Sequence, residues 1–297
     1  MLSPHGETAL YGIFGYPIGH SLSPLMHTTA FAHYGMDAVY LPFAVHPAHV
    51  ETAVKAIMAL HLHGVNVTIP HKQAVMPWLD TLSPEARLIG AVNTIHLQDG
   101  RLHGYNTDGI GFLRSLEEAG GEVTGSTVLL LGAGGAARAI AVQLCLAGIR
   151  RLWLANRTHA RVAELATFLK QYLPDADISI VSMGESSLAA HLAHTDIVVN
   201  ATSVGMHADD ACLLPLAELG PRHLVCDIVY RPLHTALLQT AQQQGARTVD
   251  GLGMLLHQGA KAFEIWTGRP FPIPSIRSRL LQALTEQPIV RSPPSKE

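Results

Sequence analysis

The run Gly132-Ala133-Gly134-Gly135-Ala136-Ala137 follows the apolar stretch Val128-Leu129-Leu130-Leu131 and opens an alanine-rich segment. This is a G-x-G-x-x-A pattern set between a strand and a helix, and its chemistry is the capture of a pyrophosphate. The first glycine permits a tight turn, the second lets backbone approach the anion, and Ala137 replaces the third glycine where helix meets strand. Amides at the helix start then face the negative charge. Further on stands Asn156-Arg157-Thr158, with Arg161 one helical turn beyond. A site for NAD carries a carboxylate here to accept hydrogen bonds from the ribose diol. A carboxylate would repel a 2′-phosphate, whereas Arg157 and Arg161 can stack on it or form charge-assisted bonds, which points to NADP. The plainer reading is a glycine-rich turn beside two solvated arginines; the strand before and the helix after favour the dinucleotide.

Three polar clusters lie upstream. Ser21 and Ser23 flank a helix entry in Ser21-Leu22-Ser23-Pro24, where two hydroxyls at the positive end of a helix suit a carboxylate. Thr68 and Lys72, in Asn66-Val67-Thr68-Ile69-Pro70-His71-Lys72, fall at the C-terminal end of a strand and in the loop beyond it, the edge of an open α/β sheet where ligands bind. Asn93 and Asp108 pair an amide with a carboxylate. Taken singly each has a structural explanation, Ser23 and Asp108 as helix caps above all.

The elements that must position these groups alternate. Strands are expected at 9–14, 39–45 and 64–69, with helices opening at Ser23-Pro24 and over 49–60, which implies a parallel sheet. Segments 91–97 and 101–105 flank Asp99-Gly100, a two-residue hairpin turn, and Asp108 caps a helix reaching Gly120-Gly121. A second alternation follows: strands at 128–131, 152–155, 178–181, 197–200, 224–228 and 248–249, with helices at 135–146 and 160–171, a doubly wound sheet. Helices through Leu256 to Phe263 and over 276–284 close the chain and return to the first half, before a tail from Gln287 that is polar enough to fray. The fold class is therefore α/β in two domains: a mostly parallel substrate domain, 1–108 plus 250–297, and a Rossmann domain, 109–249.

A length of 297 residues fits two domains. Net charge is −3 and no basic run marks a phosphate footprint, which excludes nucleic acid as an expected partner. The 18 histidines show no zinc spacing, so no metal is expected and most should lie at the surface. Three cysteines, Cys145, Cys212 and Cys226, are too few for a disulfide framework. With no apolar run of membrane-spanning length and no signal-like N-terminus, a cytoplasmic protein is expected.

Together the motifs resemble one family, the shikimate dehydrogenases, in the same order along nearly the whole chain. They are Ser21-Leu22-Ser23-Pro24, Asn66 to Lys72, Gly90-Ala91-Val92-Asn93-Thr94, Gly104-Tyr105-Asn106-Thr107-Asp108-Gly109, the Gly132 fingerprint, Asn156-Arg157-Thr158, Asn200-Ala201-Thr202-Ser203-Val204-Gly205-Met206 and Gly251-Leu252-Gly253-Met254. The resemblance implies NADP-dependent interconversion of 3-dehydroshikimate and shikimate in aromatic amino-acid biosynthesis. It implies that Ser21 and Ser23 hold the substrate carboxylate and that Thr68, Lys72, Asn93, Asp108 and Gln258 hold the ring hydroxyls, with Tyr230 at the border. It further makes Lys72 and Asp108 the catalytic pair, and Thr202, Met206, Gly251 and Met254 the bounds of the nicotinamide.

Two rival functions keep the same fold: a quinate/shikimate dehydrogenase of dual specificity, and a catalytically silent NADP-binding sensor. Asn156-Arg157-Thr158 and the paired serines argue against the first, and the presence of both Lys72 and Asp108 against the second. A methylene-tetrahydrofolate type dehydrogenase leaves Ser21, Ser23 and Asn93 unexplained. Monomer and homodimer both stand open.

Overall fold

The computed structural model describes residues 4–286 except 208, 209, 211–213 and 215. The frayed tail expected from Gln287 and the cysteine at 212 lie outside the described residues. Two six-stranded sheets organise the chain. The first is built from β1 (Ala9–Gly15), α1 (Ser23–His33), β2 (Ala38–Ala44), α2 (Val50–Ala59), β3 (Leu62–Val67), β4 (Thr81–Leu82), α3 (Pro84–Ile89), β5 (Thr94–Gln98) and β6 (Arg101–Tyr105), in the strand order β2-β1-β3-β5-β6-β4. β1 runs parallel to β2 and β3, and the β5–β6 hairpin turns antiparallel through Asp99 and Gly100, both at positive φ.

After α4 (Asp108–Glu118) comes an all-parallel second sheet. Its elements are β7 (Thr127–Leu131), α5 (Gly135–Leu146), β8 (Arg151–Ala155), α6 (His159–Tyr172), β9 (Ile178–Ile180), α7 (Glu185–Leu192), β10 (Ile197–Asn200), β11 (Leu224–Asp227), α8 (Ala236–Gln243) and β12 (Arg247–Val249), in the order β12-β11-β10-β7-β8-β9. β7 is buried along its whole length, as a strand covered by helices on both faces must be. Helices α9 (Gly251–Thr267) and α10 (Ile273–Glu286) then pack with Tyr11, Met26, Phe31 and Tyr40, so the end of the chain completes the core of the first sheet.

α4, leaving the first sheet, lies against α9, returning to it. A side chain at Gly111 would strike the Gln258 backbone at 2.6 Å, and one at Gly253 would strike Ser115 at 2.9 Å.

Two expectations are corrected. Ser23 does not cap α1: Leu22 is the N-cap residue and makes no side-chain cap, Ser23 is already helical, and it is the Ser21 hydroxyl that accepts the Ser23 amide at 3.3 Å. Asp108 does not cap α4 either, because its amide is taken by Asn106 Oδ1 at 3.1 Å and its carboxylate faces away toward other partners. Most histidines lie at the surface as expected, while His27, His71, His223 and His257 are buried.

Candidate active site

A cleft of about 180 Å³ opens at the C-terminal ends of β1 and β3 and faces the end of β11. Ser21, Ser23, Thr68, Lys72, Asn93, Asp108, Tyr230 and Gln258 all line it, as do Gly251 and Met254. Residues far apart in sequence meet because the loop after β1, the loop after β3, the start of α4 and the start of α9 converge on one sheet edge.

At the centre the Lys72 ammonium donates to Asp108 Oδ2 at 2.5 Å, with side chains only 21% and 8% exposed. The other carboxylate oxygen, Oδ1, accepts from Asn93 Nδ2 at 2.8 Å. Asn93 is itself fixed, since its Oδ1 accepts the Thr107 amide at 2.8 Å and its Nδ2 also reaches Thr107 Oγ1 at 2.9 Å. A buried carboxylate is costly unless paired and hydrogen-bonded, and Asp108 is both. The arrangement presents an acidic N–H and an anchored carboxylate side by side, the equipment for moving a proton to or from an oxygen of a bound ligand. Ile13, Ile18, Ile228 and Leu255 give the rest of the lining an apolar body. Tyr230 sits half-buried among them, and burial raises its phenol above the usual range.

Two polar lining residues, Asn66 and His20, were not nominated from sequence. Asn66 was within reach, because it alternates with Thr68 along the end of β3 and period-two alternation sends both toward one face.

The nucleotide motif forms a separate region. Gly132 has φ +115°, and a side chain there would meet the Ala201 carbonyl at 2.8 Å, so the turn after β7 sits tight against the segment after β10. Its amide donates to the Ala155 carbonyl at 2.8 Å. Gly134 is the N-cap of α5 with no side chain on the helix amides, and positions 134 and 135 have nothing within 4 Å of where a Cβ would be. Ala133 and Ala136 flank these glycines half-buried, and Ala137 is fully buried against the sheet. This open helix start fits a dinucleotide pyrophosphate.

Arg157, Thr158 and Arg161 are exposed beside it, and Asn156 bonds the Thr158 carbonyl at 3.0 Å, which holds the turn after β8. Thr202 adjoins Gly132, and its hydroxyl and amide both donate to Asn200 Oδ1, at 2.7 and 3.1 Å. Asn200 Nδ2 in turn donates to Asp227, which is buried, accepts Thr235 Oγ1 at 2.8 Å and is raised by desolvation above the usual carboxylate range. Met206 lies 51% exposed beyond this loop, apart from the cleft, whereas Gly251 and Met254 are in it.

Comparison with known proteins decides the family. A shikimate dehydrogenase substrate-binding domain matches residues 13–95, a shikimate/quinate 5-dehydrogenase model residues 115–208, and a shikimate 5′-dehydrogenase C-terminal domain residues 251–281. The shikimate dehydrogenase (NADP(+)) of Desulforamulus reducens is 46% identical over 93% of this chain and 96% of its own, and that of Symbiobacterium thermophilum 49% identical over 95% and 97%. The chain belongs to the shikimate dehydrogenase family. Among solved structures, the shikimate 5-dehydrogenase of Listeria monocytogenes in complex with shikimate and NAD superimposes with a TM-score of 0.89 at 41% identity, over 93% of this chain and 98% of that one. The two-sheet plan described above is that of the family.

Proposed function

We infer that the chain catalyses the reversible, NADPH-dependent reduction of 3-dehydroshikimate to shikimate, the shikimate-pathway step toward aromatic amino acids. One observation carries this: eight polar residues from six separate segments meet in a single cleft around the Lys72–Asp108 pair. The names of the relatives support the substrate and the cofactor alike.

In this reading Ser21 and Ser23 hold the ring carboxylate, and Thr68, Asn93, Asp108 and Gln258 hold hydroxyls, with Tyr230 closing the border. Gly132, Ala133, Gly134, Gly135 and Ala136 would hold the pyrophosphate, Asn156, Arg157, Thr158 and Arg161 the adenosine 2′-phosphate end, and Thr202, Met206, Gly251 and Met254 the nicotinamide. NADP(H), when bound, supplies or accepts the hydride. As the ring carbonyl becomes an alcohol, negative charge gathers on its oxygen; Lys72 donates the proton that quenches it, while Asp108 orients Lys72 and accepts a hydrogen bond from the hydroxyl once it has formed. In the oxidative direction Lys72 receives that proton.

We assign residues 1–108 with 250–297 to the substrate domain and 109–249 to the cofactor domain. The separate sheets and the return of α9 and α10 to the first core support that division. Every group named belongs to one chain, so the reading serves a monomer and a homodimer alike. Among the described residues no helix is long and apolar enough to cross a membrane, and Cys145 and Cys226 are free thiols, which agrees with a cytoplasmic setting.

The experiment is the nicotinamide absorbance change with shikimate or quinate against NADP or NAD. Turnover with shikimate and NADP far above the other three pairs is expected. Comparable rates with quinate or NAD would move the chain to the dual-specificity branch, and silence in all four would overturn the reading.

A further inference from the structure

Behind the cleft surface, side chains with no role so far tie its two ends together. Tyr40 on β2 is buried outside the lining. Its hydroxyl donates to Asn66 Oδ1 at 2.6 Å and lies beside Ser23. Asn66 Nδ2 donates to the Asn93 carbonyl at 3.2 Å and to Thr94 Oγ1 at 3.1 Å. The fully buried Thr94 hydroxyl donates to Asn93 Oδ1 at 3.0 Å, and Asn93 Nδ2 donates to Asp108, the partner of Lys72.

The direction of every link is forced. The Thr107 backbone amide can only donate, so the Asn93 atom facing it must be oxygen, and Asn93 must turn its NH₂ to Asp108. The Asn93 carbonyl can only accept, so Asn66 must turn its NH₂ that way and its oxygen toward Tyr40, where the phenol proton is needed. Reversing either amide would set donor against donor or acceptor against acceptor in a buried site. The Tyr40 ring is pinned in turn by His27, stacked at 4.6 Å and 12°.

Resting on the function inferred above, we propose that Tyr40 is a positioning residue. It sits beside Ser23 at the head of a hydrogen-bond chain whose donors run Tyr40–Asn66–Thr94–Asn93–Asp108 and meet the Lys72 donor at Asp108, and it steadies the reacting end of the pocket through Asn66 and Thr94. Neither Tyr40 nor Thr94 touches the cleft, so their effects on turnover pass through the chain.

The test is a double-mutant cycle of wild type, Tyr40→Phe, Thr94→Val and the double variant, with kcat, the KM for shikimate and the pH profile of kcat/KM, melting curves reporting folding. Each single variant should lose about fivefold to twentyfold in kcat, the scale of one buried hydrogen bond. Tyr40→Phe should also raise KM about threefold or more, because the Tyr40 hydroxyl lies beside Ser23, whereas Thr94→Val should leave KM within about twofold. Both should displace the pH profile in the same direction, and the double variant should be little slower than the worse single one, since the two act through one chain. Multiplicative losses, or a Tyr40→Phe enzyme with wild-type constants and pH profile, overturn the proposal. Should Tyr40→Phe not fold, an unchanged kcat and pH profile in Thr94→Val overturns it alone. A wild-type enzyme inert in all four substrate and cofactor pairs removes the function and this proposal together, whereas an active wild type with an additive cycle removes the proposal only.

Discussion

The substrate pocket and the nucleotide-binding turn solve recognition in opposite ways. In the pocket the polar side chains already bond one another: Asp108 has both oxygens engaged, and Asn93 uses its amide in both directions. At the nucleotide turn the anion-binding groups are left open, with space over Gly134 and Gly135 and exposed guanidinium groups at Arg157 and Arg161. The difference follows the ligands. A small ring must be told from its near relatives by a hydroxyl or two, which needs groups held to a fraction of an ångström. A pyrophosphate and a 2′-phosphate carry enough charge to be caught by backbone amides and exposed arginines.

Three substitutions press on that contrast. The largest effect is expected from Lys72→Met, which removes the proposed proton donor and leaves Asp108 buried without its partner. kcat should fall by about 10² to 10⁴ with shikimate and NADP, while circular dichroism stays native. Near-normal turnover in a folded Lys72→Met enzyme would return the pair to a structural role. At the nucleotide end, Arg157→Ala should weaken NADP binding by roughly tenfold or more, the scale of a charge-assisted bond, and leave NAD within about twofold. Titration of both cofactors by nicotinamide fluorescence reads the ratio, and equal losses for the two would show that Arg157 does not see the 2′-phosphate.

The third effect falls on stability. Complete burial lowers the His27 imidazole to about 3, opposed in part by the Asn66 side chain. A base lowered on folding takes its proton more readily in the unfolded chain, so its contribution is intact above pH 6.5 and drains away as pH falls toward 3. By pH 5 the loss is about 2 kcal/mol. Thermal melts at pH 7 and pH 5 should therefore converge in His27→Phe relative to wild type, and an undiminished gap would place the acid sensitivity elsewhere.

The same contrast governs what could be read from the chain alone. The nucleotide motif is local, a strand, a glycine turn and a helix in succession, and α5 falls at the residues expected, Gly135–Leu146. The pocket is assembled from a distance, so the chain alone offered Ser21, Ser23, Thr68, Lys72, Asn93 and Asp108 as separate clusters, the resemblance joined them and added Tyr230 and Gln258, and the Tyr40–Asn66 link between β2 and β3 left no trace in residue spacing. The Ser-Pro pairs are instructive. Ser83-Pro84 behaves as a cap should, with the Ser83 hydroxyl accepting the Ala86 amide at 3.1 Å, and it was passed over; Ser23-Pro24 was read as a cap and is not one. Local propensity names what a residue can do, while tertiary partners, here Lys72 for Asp108, settle what it does. Helices α7 and α8, eight residues each, were too short for their periodicity to stand out.

The close seam between α4 and α9, at Gly111 against Gln258 and Gly253 against Ser115, binds together the two places where the chain passes between halves. Residues from the first turns of both helices, Asp108, Gly251 and Met254, belong to the pocket. The passages are thus part of the same chamber as the pocket. Grafting a relative's β7 to β12 segment between these two helices should exchange the nucleotide preference and carry Tyr230 with it, while leaving Ser21, Ser23, Thr68, Lys72, Asn93, Asp108 and Gln258 in place, whereas a graft cut inside either helix would carry away half the chamber.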